Sequence, residues 1–235
     1  MKFELLRQFA KDNKIELDDH QIEQIERFAD ILIEKNKVMN LTAITDPDQI
    51  EIKHMIDSLE GVPIIKELTG KDFSLLDIGC GAGFPGIPLK IAFPENRFVL
   101  LDSLNKRINF VNDAAREIGL NNITGIAIRA EDFKERGKFD ICTSRAVAGI
   151  NVLLEYSMPF LKVGGYCLLY KSGEYAEELK SAANAIKILG GEFQCSYDIE
   201  LPVNEGRRSL IVIKKIAETS DKYPRRAGKP SKSPL

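Results

Sequence analysis

The chain has 235 residues, 44% of them hydrophobic and 29% charged, which allows one large domain or a domain with a small appendage, with ample core. No apolar run is long enough to span a bilayer, no signal-peptide pattern follows Met1, and Cys80, Cys142, Cys167 and Cys195 show neither CxxC nor Cys/His metal spacing. These features argue against a membrane protein and a metal site, and a cytoplasmic protein with small buried cysteines and no metal is expected.

The net charge of −2 hides an uneven distribution. Residues 1–70 carry nine Lys/Arg against fifteen Asp/Glu, whereas residues 203–235 carry nine against three. Local charge, not the total, steers polyanions, so the basic C-terminal end points to a nucleic-acid partner.

Residues 1–65 read as a small helical cap, with no glycine before Gly61. Phe3, Leu5, Leu6 and Phe9 mark a short first helix. Ile22, Ile25, Phe28, Ala29, Leu32 and Ile33 recur at helical steps, and Asp18 or Asp19 is placed to cap that second helix. Asp46-Pro47 starts a turn, and residues 50–59 read as another helix. Of the two histidines, His20 reads as a helix-surface residue, and His54 is a candidate to face a cleft from the cap.

From Ser74 the pattern changes to strands alternating with helices. Strands are predicted at 75–79, 97–101, 123–128, 139–143 and 166–170, and helices at 86–92, 105–118, 150–160 and 174–189, which makes a parallel sheet with helices on both faces. Two last apolar runs, 193–201 and 210–216, are joined by a short polar link, and such a link joins antiparallel neighbours. Residues 66–219 are therefore expected to form an α/β domain of the class I S-adenosylmethionine (SAM)-dependent methyltransferase type. Its Rossmann-like seven-stranded sheet would hold five parallel strands and a C-terminal antiparallel hairpin. Residues 220–235, rich in Pro, Lys, Arg and Ser and without apolar periodicity, read as a basic extended tail, whose order in the absence of RNA the sequence leaves open.

The densest signal is the segment 75–88, where an apolar run ends in Asp77 and breaks into Gly79, Gly81, Gly83 and Gly86. Glycine permits positive φ and close approach of a ligand to the backbone. Gly81-x-Gly83-x-x-Gly86 matches the dinucleotide fingerprint, a weak signal when alone. Asp77-x-Gly79-x-Gly81-x-Gly83 matches SAM enzymes. A pyrophosphate would be repelled by an Asp77 carboxylate at the strand tip, whereas the sulfonium and ammonium of SAM would be attracted.

Ligands in such folds bind at the carboxyl ends of the strands, which selects further candidates. Phe84 lies in the first loop. Asp102, about twenty residues past the glycines, is placed either to hold a ribose diol or to cap the next helix. Ala130 and Glu131 lie where an adenine edge would be held, or in a plain charged turn. Arg145 and Lys171 follow the fourth and fifth strands, and Arg207 and Arg208 sit at the hairpin on the same rim. Together they form a phosphate-binding footprint. Tyr223, Arg225 and Arg226 extend it, with Tyr223 either stacking on a base or plugging a surface groove.

The fourth-strand tip, Ser144-Arg145-Ala146-Val147, lacks the Asn/Asp-Pro-Pro-aromatic pattern of adenine-amine methylation. Cys142 lies inside its strand, which disfavours cytosine carbon methylation, and no lysine and acid set for ribose methylation is evident. A ring nitrogen such as guanine N7 needs only positioning and electrostatics. A SAM enzyme acting on a small molecule, or a nucleic-acid-binding module without catalysis, would share the fold.

Several motifs in combination carry a resemblance: Asn40-Leu41-Thr42-Ala43-Ile44, His54-x-x-Asp57-Ser58-Leu59, the Asp77–Pro88 glycine segment, and Leu101-Asp102-Ser103-Leu104-Asn105-Lys106-Arg107. Arg129-Ala130-Glu131, Ser144-Arg145-Ala146-Val147-Ala148, Gly206-Arg207-Arg208 and Tyr223-Pro224-Arg225-Arg226-x-Gly228-x-Pro230 continue it. Over nearly its whole length the chain resembles the bacterial ribosomal small-subunit methyltransferase G family, also called glucose-inhibited division protein B. The resemblance implies SAM-dependent N7 methylation of one guanosine, commonly numbered 527, in 16S ribosomal RNA. S-adenosylhomocysteine would be the product, and the RNA or a small-subunit assembly particle the partner, with no membrane and no obligatory protein partner. It implies cofactor contact by Gly79, Phe84, Ala130, Glu131, Arg145 and Asp102, and the reading of the glycine segment above adds Asp77 and Gly81. It implies catalysis or RNA contact by Arg145, Lys171, Arg207, Arg208 and the Tyr223–Arg226 segment.

Overall fold

The apolar runs become seven strands in a computed structural model that describes residues 2–145, 148–173 and 175–235. The strands are β1 (Ser74–Ile78), β2 (Arg97–Asp102), β3 (Ile123–Ala127), β4 (Phe139–Arg145), β5 (Leu161–Ser172), β6 (Gly191–Glu200) and β7 (Arg207–Lys215). They form one sheet in the order β3-β2-β1-β4-β5-β7-β6. The first five pair in parallel, and β7 inserts antiparallel between β5 and β6. The expected class I architecture is therefore present. The strand order reverses between β1 and β4, and the crevice at that switch point is where an open α/β sheet takes its ligand.

The helices are α1 (Glu4–Asp12), α2 (Asp19–Met39), α3 (Pro47–Ile50), α4 (Asp57–Leu59), α5 (Gly61–Leu68), α6 (Gly86–Ala92), α7 (Asn105–Glu117), α8 (Ile150–Ser157), α9 (Ala176–Ser181), α10 (Ala183–Ile188) and α11 (Lys229–Lys232). Asp18 caps α2 through a reciprocal pair: Gln21 N donates to Asp18 Oδ1 at 2.8 Å, and Asp18 N donates to Gln21 Oε1 at 2.9 Å. The helix expected over 50–59 contains a π-helical turn, Glu51–Ile56, ahead of α4. The helix expected over 174–189 is divided at Ala182 into α9 and α10. Its first residue, Glu174, lies outside the described residues, as do Ala146 and Val147 of the fourth-strand motif.

Two apolar layers flank the sheet. On one face Ile25 and Phe28 of the cap share a core with Leu75, Phe98 and Leu100; on the other Leu153 and Leu154 of α8 pack with Phe139, Phe160 and Leu169. The cap thus buries its apolar stripe directly on the sheet, and this brings its residues over the strand tips. No helix among the described residues is long and apolar enough to cross a membrane.

The C-terminal segment departs from the expected extended tail. Tyr223 is buried at 5% exposure in the α8-side core. Arg136 wraps the chain before it, donating to the carbonyls of Thr219, Ser220 and Tyr223. Arg225 forms an ion pair with the buried Glu155. Pro230 is buried, and Leu235 packs against the same core. These anchors are irregularly spaced, so they carry no helical or strand period in the sequence.

One close approach ties the cap to β5. The Tyr170 hydroxyl donates to Ser58 O at 2.8 Å, and a Cβ added to Gly61 would collide with that hydroxyl oxygen of Tyr170. Gly61→Ala is predicted to cost about 1–3 kcal/mol in urea unfolding through overpacking. In a Tyr170→Phe background the same change should cost less; an unchanged midpoint for Gly61→Ala alone would contradict this contact.

Candidate active site

Two neighbouring cavities open at the carboxyl ends of the central strands. The larger, about 500 Å³, runs from the glycine segment after β1 past Asp102 to Ala130 and Glu131 after β3, and Thr42 and His54 line it from the cap. The smaller, about 330 Å³, lies over the end of β5 and the start of β7, lined by Lys53, Asp57, Lys171, Glu178 and Arg208. His54 and Arg145 line both.

The glycine segment folds back over β2, with Gly79 N and Cys80 N donating to Leu101 O at 2.8 and 2.9 Å. Gly81 has φ +56, and a Cβ added there would meet no heavy atom within 4 Å, so the backbone is laid bare. Its amide donates to Asp102 Oδ2 at 3.1 Å. Asp102 also accepts from Leu104 N at 2.9 Å and from Arg107 at 3.3 Å. Asp102 therefore does two jobs at once: it anchors the approach to α7 and lines the large cavity.

Asp77 corrects the sequence reading. It is fully buried and does not line the cavity; its Oδ2 accepts from Gly86 N at 3.0 Å, and burial raises its carboxyl to about 7. The physical reason is local. Ile87 N is bonded to Gly83 O, Leu89 N to Pro85 O, and Pro88 has no amide hydrogen. With Gly86 N held by Asp77, these opening residues of α6 leave no amide for a phosphate, unlike the dinucleotide arrangement. Asp77 thus acts from beneath the loop rather than by facing a cation.

Arg145 joins the two cavities. Its Nη1 donates to Lys53 O and Asp57 Oδ2, each at 3.0 Å, and its Nη2 lies 3.3 Å from His54 Nδ1. Its guanidinium sits 5.0 Å from the Phe84 ring centroid. His54 stacks on that same ring at 4.5 Å, and its Nε2 is 2.8 Å from Thr42 Oγ1. Burial, and then the Arg145 charge, lower the His54 pKa to about 3. The ring is thus neutral, with Nδ1 shared between the Arg145 guanidinium and the Lys53 carbonyl, 3.2 Å away, and Nε2 paired with the Thr42 hydroxyl. The π-helical turn delivers both the Lys53 carbonyl and the His54 ring, as such turns often do at functional sites.

Of the other expected residues, Lys171 lines the smaller cavity, donating to Glu178 Oε1 at 2.8 Å and Ala148 O at 3.0 Å. Arg208 Nε approaches Asp57 Oδ2 at 3.3 Å, so Asp57 serves two arginines. Arg207 departs from its expected catalytic place. Alternation along β7 turns it away; its side chain is 80% exposed, pairs with Glu200, and lines neither cavity. Tyr223 is buried and Arg225 is paired with Glu155, while Arg226 is exposed. The sequence reading assigned no role to Asp57 or Tyr156. His54-x-x-Asp57 spacing on one helical face was the available signal for Asp57. For Tyr156 it was the polar pair Glu155-Tyr156 inside an apolar helix.

The large cavity presents carboxylates, Asp102 and Glu131, and bare loop backbone. Arg107, Arg129 and Arg145 line it too, with Arg107 paired to Asp102 and Arg145 to Asp57, and the carboxylates are set to accept from hydroxyls. Fold neighbours agree with the architecture. A geranyl diphosphate C-methyltransferase from Streptomyces coelicolor, solved with S-adenosylhomocysteine, superposes with TM-score 0.53 at 14% identity over 68% of this chain and 79% of its own. A SAM-dependent methyltransferase from Aquifex aeolicus superposes with TM-score 0.52 at 16% identity, over 72% and 94%. The chain therefore has the class I methyltransferase fold. The family model described as rRNA small subunit methyltransferase G matches residues 21–200. The Ribosomal RNA small subunit methyltransferase G of Acetivibrio thermocellus is 46% identical over 98% of this chain and 96% of its own. Its namesake from Lactococcus lactis subsp. cremoris is 48% identical over 95% of each. The chain belongs to the rRNA small subunit methyltransferase G family.

The neutral histidine has a thermodynamic signature. The unfolded chain takes up the His54 proton near pH 6.5, but the folded ring resists to about 3. Stability held by the neutral ring is present above that upper value and lost as the pH falls below it. Urea unfolding of the wild type and His54→Phe should show the wild type losing about 1 kcal/mol more per pH unit on acidification from about pH 6.5 to 5. A pH-independent difference would contradict the assignment.

Proposed function

We propose that this chain methylates N7 of one guanosine, commonly numbered 527, in 16S ribosomal RNA, with SAM as the donor. The observation that carries this reading is the shared wall of Arg145 and His54 between a cavity suited to SAM and a second cavity beside it. Family membership supplies the substrate class. Gly79, Gly81, Phe84, Asp102, Ala130, Glu131 and Arg145 would hold SAM, whose sulfonium supplies the transferable methyl group, with S-adenosylhomocysteine as product. Asp77 contributes by shaping the loop.

Guanine N7 carries its lone pair in the neutral base, so the protein need not remove a proton; it positions the base and excludes water. The cations of the second cavity are matched by acids: Arg145 and Arg208 by Asp57, Lys171 by Glu178 and Lys53 by Glu205. Every cation of the pocket is thus paired, although Asp57 is shared by two of them, and the carboxylates offset part of the positive charge that appears on the methylated ring. Neutral His54 adds no charge to the wall that a sulfonium would approach. Arg207 and Arg226, exposed outside the cavities, are placed to meet backbone phosphates of the RNA or of a small-subunit assembly particle. This reading places the protein in the cytoplasm, with no membrane and no obligatory protein partner.

Mapping methyl groups on ribosomal RNA from cells with and without the protein tests the reaction directly; identical maps would overturn it. With purified components, Arg208→Ala is predicted to lower kcat/KM by about 10–100-fold, the loss of a charged hydrogen bond. Arg207→Ala should change it by less than about threefold at moderate salt, as one screened phosphate contact. Equal losses would show that the register of β7 does not decide which arginine serves the cavity.

A further inference from the structure

Glu155 is a fully buried carboxylate on α8, among the buried Val152, Leu153 and Leu154. Such a group needs a partner, and the C-terminal segment supplies one. Arg225 donates to Glu155 Oε1 through its amide and its Nε, each at 2.8 Å, and to Oε2 through Nη2 at 2.6 Å. Breaking a buried pair by removing one member leaves an uncompensated charge, so this contact fixes where the segment docks.

The docked segment then reaches the large cavity. Gly228 N approaches Glu131 Oε1 at 3.4 Å. The Tyr156 side chain, next in sequence to Glu155, interacts with Glu131 and with Ser231. Glu131 and Tyr156 both line that cavity. Tyr223 packs in the core that also contains Ala130, another lining residue. The segment is thus a strap behind the part of the cavity wall formed by Ala130, Glu131 and Tyr156.

We propose that residues 219–235 are a positioning strap for the cofactor cavity: docked through Arg225 and Glu155, they hold Glu131 and Tyr156 in the arrangement that binds the cofactor. The inference rests on the reading above that this cavity takes SAM. Linkage then runs both ways: the docked strap raises cofactor affinity, and bound cofactor holds the strap down. Arg226, Lys229 and Lys232 are exposed on the strap, so a polyanion that contacts them acts on the same equilibrium.

S-adenosylhomocysteine is the probe. Calorimetric titration of Arg225→Ala, well below its unfolding temperature, should show affinity lowered by about tenfold against the wild type, a typical coupling between sites. Glu131→Gln should also bind more weakly, and adding Arg225→Ala to it should cost little more, because both act through one carboxylate. Wild-type affinity in a folded Arg225→Ala would overturn the proposal. Hydrogen exchange on the unaltered protein supplies a test that needs no variant. Saturating probe should slow exchange both in the glycine loop, 79–84, and in the strap, 223–232. Protection of the loop with an unchanged strap would overturn the strap and leave the cofactor site standing. Neither heat nor protection anywhere would overturn the cofactor reading itself.

Discussion

The guanidinium of Arg145 is held between a backbone carbonyl, a carboxylate, an imidazole and a phenyl ring, and both cavities take their shape from that arrangement. Lys53, His54 and Asp57 come from the cap, Phe84 from the glycine segment, and Arg145 from the end of β4. Three separate pieces of chain are thereby fixed relative to one another at a single point. The pair with Asp57 is nearly buried, with side chains 13% and 4% exposed. Removing one member of such a pair typically costs about 3–5 kcal/mol, because the other is left uncompensated. The geometry is therefore rigid where two substrates would have to meet.

Acids organise this site more than cations do. Asp77 occupies the start of α6, Asp102 gathers the Gly81 and Leu104 amides, Asp57 serves two arginines, and Glu155 receives the strap. Asp77, Asp102 and Asp57 thereby take hydrogen bonds from the loop amides and arginines around the two cavities. The result is a pair of cavities in which Arg107, Arg145, Lys171 and Arg208 each meet an acid, while exposed cations remain on the outer rim and on the strap. That division suits a ligand whose anionic backbone stays outside and whose neutral base enters.

The strand pattern was legible because each central strand is an apolar run bounded by glycines or polar turns, and the β6–β7 link is too short for a crossover. Asp102, Ala130, Glu131, Arg145 and Lys171 were legible for the same reason: strand ends point at the switch crevice. The π-helical turn was not legible, since its buried residues Ile52, Met55 and Ile56, with Leu59 beyond, also fit an ordinary α-helical spacing. The choice between Arg207 and Arg208 depends on the strand register, and adjacent residues of a strand face opposite ways. Asp77 was found correctly as an acid at a strand end, but its burial could not be read from spacing. The strap was misread because Tyr223, Arg225, Pro230 and Leu235 anchor it without any period.

The most direct measurement is a crystal structure of the protein grown with S-adenosylhomocysteine and guanosine monophosphate. The account predicts the sulfur compound in the large cavity, its adenosine toward Asp102 and Glu131 and its sulfur toward Phe84 and Arg145. The guanine should lie across the shared wall with N7 facing the sulfur. Guanine bound remote from Arg145, or the sulfur compound outside the large cavity, would contradict it.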